Sequence, residues 1–260
     1  MKTKTLGIVL ILALTLIGNA DAADSALVKQ KTIVWQGIVP VPAIFTVAKG
    51  ETLEIRPGSK ILFSQGSGLV VQGALNAVGQ KGKEIVFAAE KGRAPSRWNE
   101  ITFEAADSSR LEFCVFESAT WGVHSHDTNL SITNCTFRHN EGGLRFHGGP
   151  LTLQKSRFTG NGIGLRSHQG EGKVEECEFS DNVTGIFVRE KGSGLKVNRS
   201  NFVRNSSYNM RLGDFNDEDV QAPGNWWGED GPAGTIFDDR IESGIGRVNF
   251  EPYSRVSISL

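Results

Sequence analysis

Four of the five histidines in this 260-residue chain fall at two recurring positions. His126, His147 and His168 stand 21 residues apart, and Arg189 occupies the next place in that series. Two residues before each come His124, Arg145, Arg166 and Phe187. Leu144-Arg145-Phe146-His147 thus returns as Leu165-Arg166-Ser167-His168. Guanidinium groups offer forked, permanently charged donors that match carboxylate or sulfate, so Arg145, Arg166 and Arg189 suit an anion. Imidazoles are common ligands for copper and zinc, so His126, His147 and His168 also form a candidate metal set. Arginines beside the histidines oppose a cation, which ranks the anion first and the metal second. A third reading is that duplication copied a surface histidine that has no task.

Elements that would place these side chains together come from the same spacing. Phe116, Phe137, Phe158 and Phe179 are 21 residues apart, and Phe202 follows after 23. Two residues before each sits Cys114, Cys135, Ser156, Cys177 or Ser200. Three after the last four comes Asn140, Asn161, Asn182 or Asn205, and six after the first four comes Gly122, Gly143, Gly164 or Gly185. Self-similarity at this period defines a solenoid, and apolar positions that alternate with period two make its units strands. Equivalent strands then pair in parallel, and inward side chains stack in columns of like residues. Asn is expected to hydrogen-bond bend backbone, with Gly supplying positive φ there. If positions seven and nine after each Phe point inward, positions eight and ten point out. His124, Arg145 and Arg166 therefore share one outward column, and His126, His147, His168 and Arg189 the next.

Earlier segments repeat the alternation less regularly, as in Thr52–Phe63, Gly68–Phe87 and Trp98–Phe103. Counted from Thr46 to Leu212, the repeat spans roughly seven to eight rungs of about 22 residues. The expected organisation is a single all-β, single-stranded, right-handed parallel β-helix over 46–212, with an N-terminal strand or cap over 23–45 and a C-terminal cap over 213–260. Solenoid ends need covers, and Trp35 and Phe45 at the front and Trp226 and Trp227 at the back are the aromatic candidates.

Residues 1–22 read as a secretory signal peptide. Lys2 and Lys4 precede the apolar run Leu6–Ile17, and Ala20-Asp21-Ala22 supplies small residues for cleavage. The run is too short for a membrane anchor, so the mature chain is expected in the periplasm or outside the cell, with no membrane span. Removing Lys2, Lys4 and Asp21 leaves 26 basic and 28 acidic side chains. That balance does not favour nucleic acid or an anionic membrane as partner. Oligomeric state is not written in the sequence.

Together the segment Lys49–Phe63, the pair of strands over Leu69–Phe87, the Cys-x-Phe rungs with their Asn and Gly, and Ala222–Pro232 resemble the exported right-handed parallel β-helix proteins of bacteria, in the pectate-lyase-like superfamily. The resemblance covers nearly all of the expected mature chain. It implies the fold, whereas lyases, hydrolases, adhesins and binding proteins all share it. Some relatives are periplasmic copper-associated proteins, which adds weight to the metal reading. The leading expectation is a non-catalytic binding or scaffold protein that recognises an acidic polysaccharide, or another cell-surface component, through His124, His126, Arg145, His147, Arg166, His168 and Arg189. The alternatives are a polysaccharide lyase or glycoside hydrolase, and a periplasmic copper- or zinc-binding protein. An enzyme is the minority reading, and no catalytic residue is assigned, because the Asn-Thr-Asp and Gly-His-Gly motifs of polygalacturonases are absent.

Three further groups carry weaker signals. The carboxylate-rich loop Asp214–Asp219 can be read as a calcium site, but it lacks EF-hand spacing and reads better as a solvated turn. Adjacent Asp238 and Asp239 would point apart, which does not suit the acid and base of a glycosidase. Cys114, Cys135 and Cys177 share an inward column whose parallel vectors fit a disulfide poorly, and free buried thiols are expected.

Overall fold

The computed structural model describes residues 31–90 and 97–260; the signal-peptide reading of 1–22 and the first part of the 23–45 segment lie outside them. Alternating apolar residues form short strands that wind into three parallel sheets of ten, eight and nine strands. Each of the first eight rungs gives one strand to each sheet. Leu130–Thr133, Thr136–Arg138 and Gly142–His147 make one such turn, and Leu151–Gln154, Arg157–Thr159 and Ile163–His168 the next. Pairing is in register, so Leu130, Ile132, Phe137, Leu144 and His147 lie against Leu151, Leu153, Phe158, Leu165 and His168. This is a single parallel β-helix of about nine turns. The expected count of seven to eight is too low because Lys31–Trp35, Ile38–Val41 and Phe45–Val47 already pair as a full first turn. Strands at Val220–Gln221 and Val248–Asn249 also extend the ten-stranded sheet at the other end. No helix among the described residues is long and apolar enough to cross a membrane.

The core is a set of axial columns. Phe87, Phe116, Phe137, Phe158, Phe179 and Phe202 stack with ring centroids 4.6–5.3 Å apart. Trp227 closes that column at 4.5 Å from Phe202, and Trp98 stacks on Phe63 at 4.4 Å. Burying an aromatic ring at every turn removes large apolar area from water, and that area is the main stabilising term of a slender solenoid. Cys114, Cys135 and Cys177 are free and buried in the neighbouring column. Burial in that apolar column pushes the Cys177 thiol up to about 12, so it stays protonated and unreactive.

Asn140, Asn161, Asn182 and Asn205 build a polar ladder inside one corner. Each side-chain amide donates to the carbonyl of a core phenylalanine, as from Asn161 to Phe137 at 3.0 Å. The same amide of the first three donates to the Asn oxygen one rung on, at 2.9–3.0 Å. These bonds satisfy buried bend groups that the sheets leave unpaired.

The repeated glycines act differently from expectation. Gly122, Gly143, Gly164 and Gly185 lie within strands and are absent from the positive-φ positions. A β-carbon there would stand 2.5–2.7 Å from a carbonyl oxygen of the following rung, so close approach excludes every other residue. The left-handed corners instead fall largely on ordinary residues. Phe113, Asn134, Lys155, Glu176 and Arg199 turn the first corner of successive rungs with φ of 48–54°. Ser118, His139, Asp181 and Arg204 turn the second. One left-handed residue at each of these two corners keeps the turn short, so the outer faces stay in register and side chains align along the axis.

Candidate anion-binding face

The outer face of the nine-stranded sheet carries the ladder. Register places Thr102, His124, Arg145, Arg166, Phe187, Arg211 and Phe237 in one axial column. Glu104, His126, His147, His168, Arg189 and Gly213 form the second. All seven residues selected from the sequence line one shallow pocket of about 230 Å³. Imidazole centroids are 4.1 Å apart for His124 and His126, 5.6 Å for His126 and His147, and 4.6 Å for His147 and His168.

Counter-charges sit at the two ends. Glu100 accepts from Arg145 Nη2 at 2.8 and 3.2 Å, and its Oε1 lies 3.2 Å from His124 Nδ1. Its side chain is 12% exposed, and burial opposes ionisation. The His124 hydrogen bond and the Arg145 charge outweigh that and hold the carboxyl below its ordinary range. The Arg145 guanidinium also lies 5.1 Å from the ring centre of Trp121. At the other end Arg189 Nε is 2.9 Å from Asp214 Oδ2. Its N–H is not aimed at that oxygen, so this is charge proximity without a hydrogen bond, and Nε of Arg145 likewise lacks an acceptor. His168 Nε2 lies 3.3 Å from Glu190 Oε2.

Arg166 stands between these ends. No carboxylate of the described residues lies within 4.0 Å of it. Burial, then the like charges of Arg189 and Arg145, lower its affinity for a proton and outweigh the opposing charge of Asp214. It remains charged even so, because guanidinium starts from a very high value. His126 is also pushed down, first by burial and then by His124, His147 and Arg145, and is neutral at neutral pH. The centre of the face is therefore a guanidinium without a carboxylate in contact, flanked by two more and bordered by imidazoles. Such an arrangement attracts an anion with several acceptor oxygens.

The other candidates separate in space. Among the described residues no group of three or more His, Cys, Asp or Glu is arranged to hold a metal ion. Within Asp214–Asp219 the carboxylates diverge: Asp214 faces Arg189, Glu218 accepts from Ser193 Oγ at 2.7 Å, and Asp219 accepts from the Arg247 backbone at 2.8 Å. Buried Asp238 binds Arg240 and the Val248 backbone, while Asp239 binds Arg247. Trp227 is buried as the end of the aromatic column.

Sequence reasoning did not find Glu100, Trp121, Glu190, Asp214 or Arg211 for this face. Glu100 belongs to the Trp98–Phe103 segment, whose match to the repeat is disturbed by the irregular stretch before it. Arg211 stands 24 residues after its partner Phe187, so a 21-residue template puts Tyr208 in its place.

Residues 96–218 match the family model described as a right handed beta helix region. The three-sheet winding continues on both sides of that segment, so the fold is a right-handed parallel β-helix. No curated protein sequence matches the chain.

Proposed function

We propose that this protein is an exported, non-catalytic binding module for an acidic polysaccharide. The ligand lies on the outer face of the nine-stranded sheet, over His124, His126, Arg145, His147, Arg166, His168 and Arg189. One observation carries the reading: Arg166 has no carboxylate in contact and feels net repulsion from Arg145 and Arg189, which turn to Glu100 and Asp214 at opposite ends. An anion above Arg166 relieves repulsion inside the ladder and gains charge-assisted hydrogen bonds. The shallow pocket suits an extended chain that crosses it, rather than a small molecule that must be enclosed. The Lys2-to-Ala22 pattern supports export.

The test is titration calorimetry of the mature protein with uronate and sulfated oligosaccharides, beside a His126/His147/His168→Ala protein and an Arg166→Gln protein. The expected result is heat with an acidic glycan that is lost in Arg166→Gln and weakened in the triple variant. Absence of heat with every acidic glycan would overturn the reading.

A second reading rests on a specific contact. The carboxylate of Glu100 at His124 Nδ1 would leave Nε2 of that ring as a base, beside arginines able to neutralise a uronate. A lyase or hydrolase of this kind would release unsaturated or reducing ends from a polyuronate, whereas the binding module only retains it.

A further inference from the structure

Beyond the pocket, the same outward column continues through Phe187, Arg211 and Phe237 on consecutive rungs. Arg211 is exposed, and its guanidinium carbon lies 5.2 Å from the Phe187 ring centre and 5.4 Å from that of Phe237. The two rings hold the planar cation from either side and restrict its rotamers. No carboxylate of the described residues lies within 4.0 Å of it. Most other arginines on the regular rungs have one: Arg110, Arg138, Arg145, Arg189, Arg199 and Arg204 all face a carboxylate. Arg166 and Arg211 share a column and share this lack of a partner. They stand two rungs apart, with Phe187 between them.

We propose that Arg211 is a second anion subsite, and that with Arg166 it selects a linear acidic glycan lying along the helix axis with its charges repeating on one side. The inference rests on the anion-binding reading above and extends it outside the pocket. Two rung spacings separate the cations by about 10 Å. A chain of pyranoses linked across the ring, with every second residue presenting its charge to the same side, repeats on that scale. The intervening sugar then lies over the rung of Phe187, where an apolar ring face meets an apolar surface. Arg211 makes no contact that stabilises a neighbouring carboxylate, so its clamped geometry serves a partner from outside.

The experiment is a length series. Uronate oligomers and sulfated oligomers of one to six residues are titrated into the wild type, Arg211→Gln, Arg166→Gln and Phe237→Ala, each checked for an unchanged far-ultraviolet spectrum and melting temperature. In one of the two series, Arg211→Gln is expected to weaken four- to six-residue ligands by roughly tenfold and leave one-residue ligands unaffected. Phe237→Ala should weaken the same long ligands, because the freed guanidinium loses its preorganisation. The sulfated and uronate arms identify which anion the subsites take. If Arg211→Gln binds every length like wild type while Arg166→Gln loses binding, the second subsite is wrong and the anion face stands. Equal weakening at all lengths would also overturn it, since Arg211 would then act on the first subsite. If the wild type binds neither series, both readings fall together.

Discussion

Replacing Arg166 with Gln should move binding and stability in opposite directions. Arg166 pairs directly with Arg145, which pairs with His124 on the preceding rung, and His168, two residues on in the strand of Arg166, pairs with Arg189. Adjacent rungs are about 4.8 Å apart. Two unit charges at that separation repel by about 0.9 kcal/mol in water, by Coulomb's law at a dielectric constant of about 80. Salt and the solvent around a half-exposed guanidinium reduce this, so the relief from deleting the charge is a few tenths of a kcal/mol to about 1 kcal/mol. Arg166 has no carboxylate within 4.0 Å among the described residues, and the attraction of Asp214 that is also lost is weaker than the repulsion from Arg189 or Arg145. The folded protein should therefore melt at the same temperature or slightly higher.

Binding should fall instead. Charge-assisted hydrogen bonds contribute roughly 1.5–3 kcal/mol each, so losing the central guanidinium should weaken an acidic ligand by about 10- to 100-fold. The assays are thermal unfolding followed by circular dichroism and calorimetric titration at two salt concentrations. Affinity of the wild type should drop with added salt more steeply than that of the variant. A lower melting temperature together with unchanged affinity would refute the argument, because Arg166 would then be a structural residue. Arg138→Gln is the control: Arg138 faces Glu117 on another sheet and should leave the affinity unaltered.

Four further outcomes follow from the columns and the site. Asn161→Ala should cost roughly 3 kcal/mol in denaturant unfolding, because it removes an internal partner from the Phe137 carbonyl, the Asn140 backbone N–H and each neighbouring Asn side chain; a loss below about 1 kcal/mol would show that water replaces the ladder. Gly164→Ala forces a β-carbon to 2.5 Å from the Gly185 oxygen and should destabilise by about 1–3 kcal/mol, seen as faster hydrogen exchange of the two adjoining rungs. Burial raises the Asp238 carboxyl, but its bonds from Arg240 and the Val248 and Arg240 backbone win and hold it below the ordinary range. Its stabilisation is complete above the ordinary aspartate value and is lost as pH falls through the folded value, so Asp238→Asn should flatten the acid limb of a stability–pH curve. His126 is depressed in the free protein, and a bound anion would raise it; affinity for a sulfated glycan should climb as pH falls through the bound-state value and level off below the free-state one, and a flat profile between pH 7 and about 5 would remove His126 from the site.

Repetition decided what could be read without coordinates. In the regular rungs a 21-residue interval keeps each residue over its equivalent, and strand parity then assigns inside and outside. Phe116, Phe137, Phe158 and Phe179 therefore announced the core, and Arg145, Arg166, His147 and His168 announced the outer face, with the register that the strands adopt. Charge compensation was not legible, because it crosses places where the interval breaks. Cys114 pairs with Ile85 across 29 residues, and Thr102 with His124 across 22, so no constant template brings Glu100 to His124. Asp214 reaches Arg189 from a corner lengthened by the short 3₁₀ turn at Gly192–Gly194 and the residues after Phe202.

The glycine column shows a different limit. Its pattern was plain, but a small residue at a fixed interval satisfies two physical demands equally well: a positive φ and the close approach of another chain. Only the position of the next rung's carbonyl separates them, and that is a fact of the third dimension. The same ambiguity applies to Arg166 and Arg211. An arginine in the sequence carries no sign of whether its carboxylate comes from within the fold or from outside it. Along these rungs the structure answers that question for one arginine after another: among the described residues Arg157, on the eight-stranded sheet, is left without an internal carboxylate, as are Arg166 and Arg211, and only these last two share one column, two rungs apart. An anion on this face should therefore be held by a spacing, and not by a single charge.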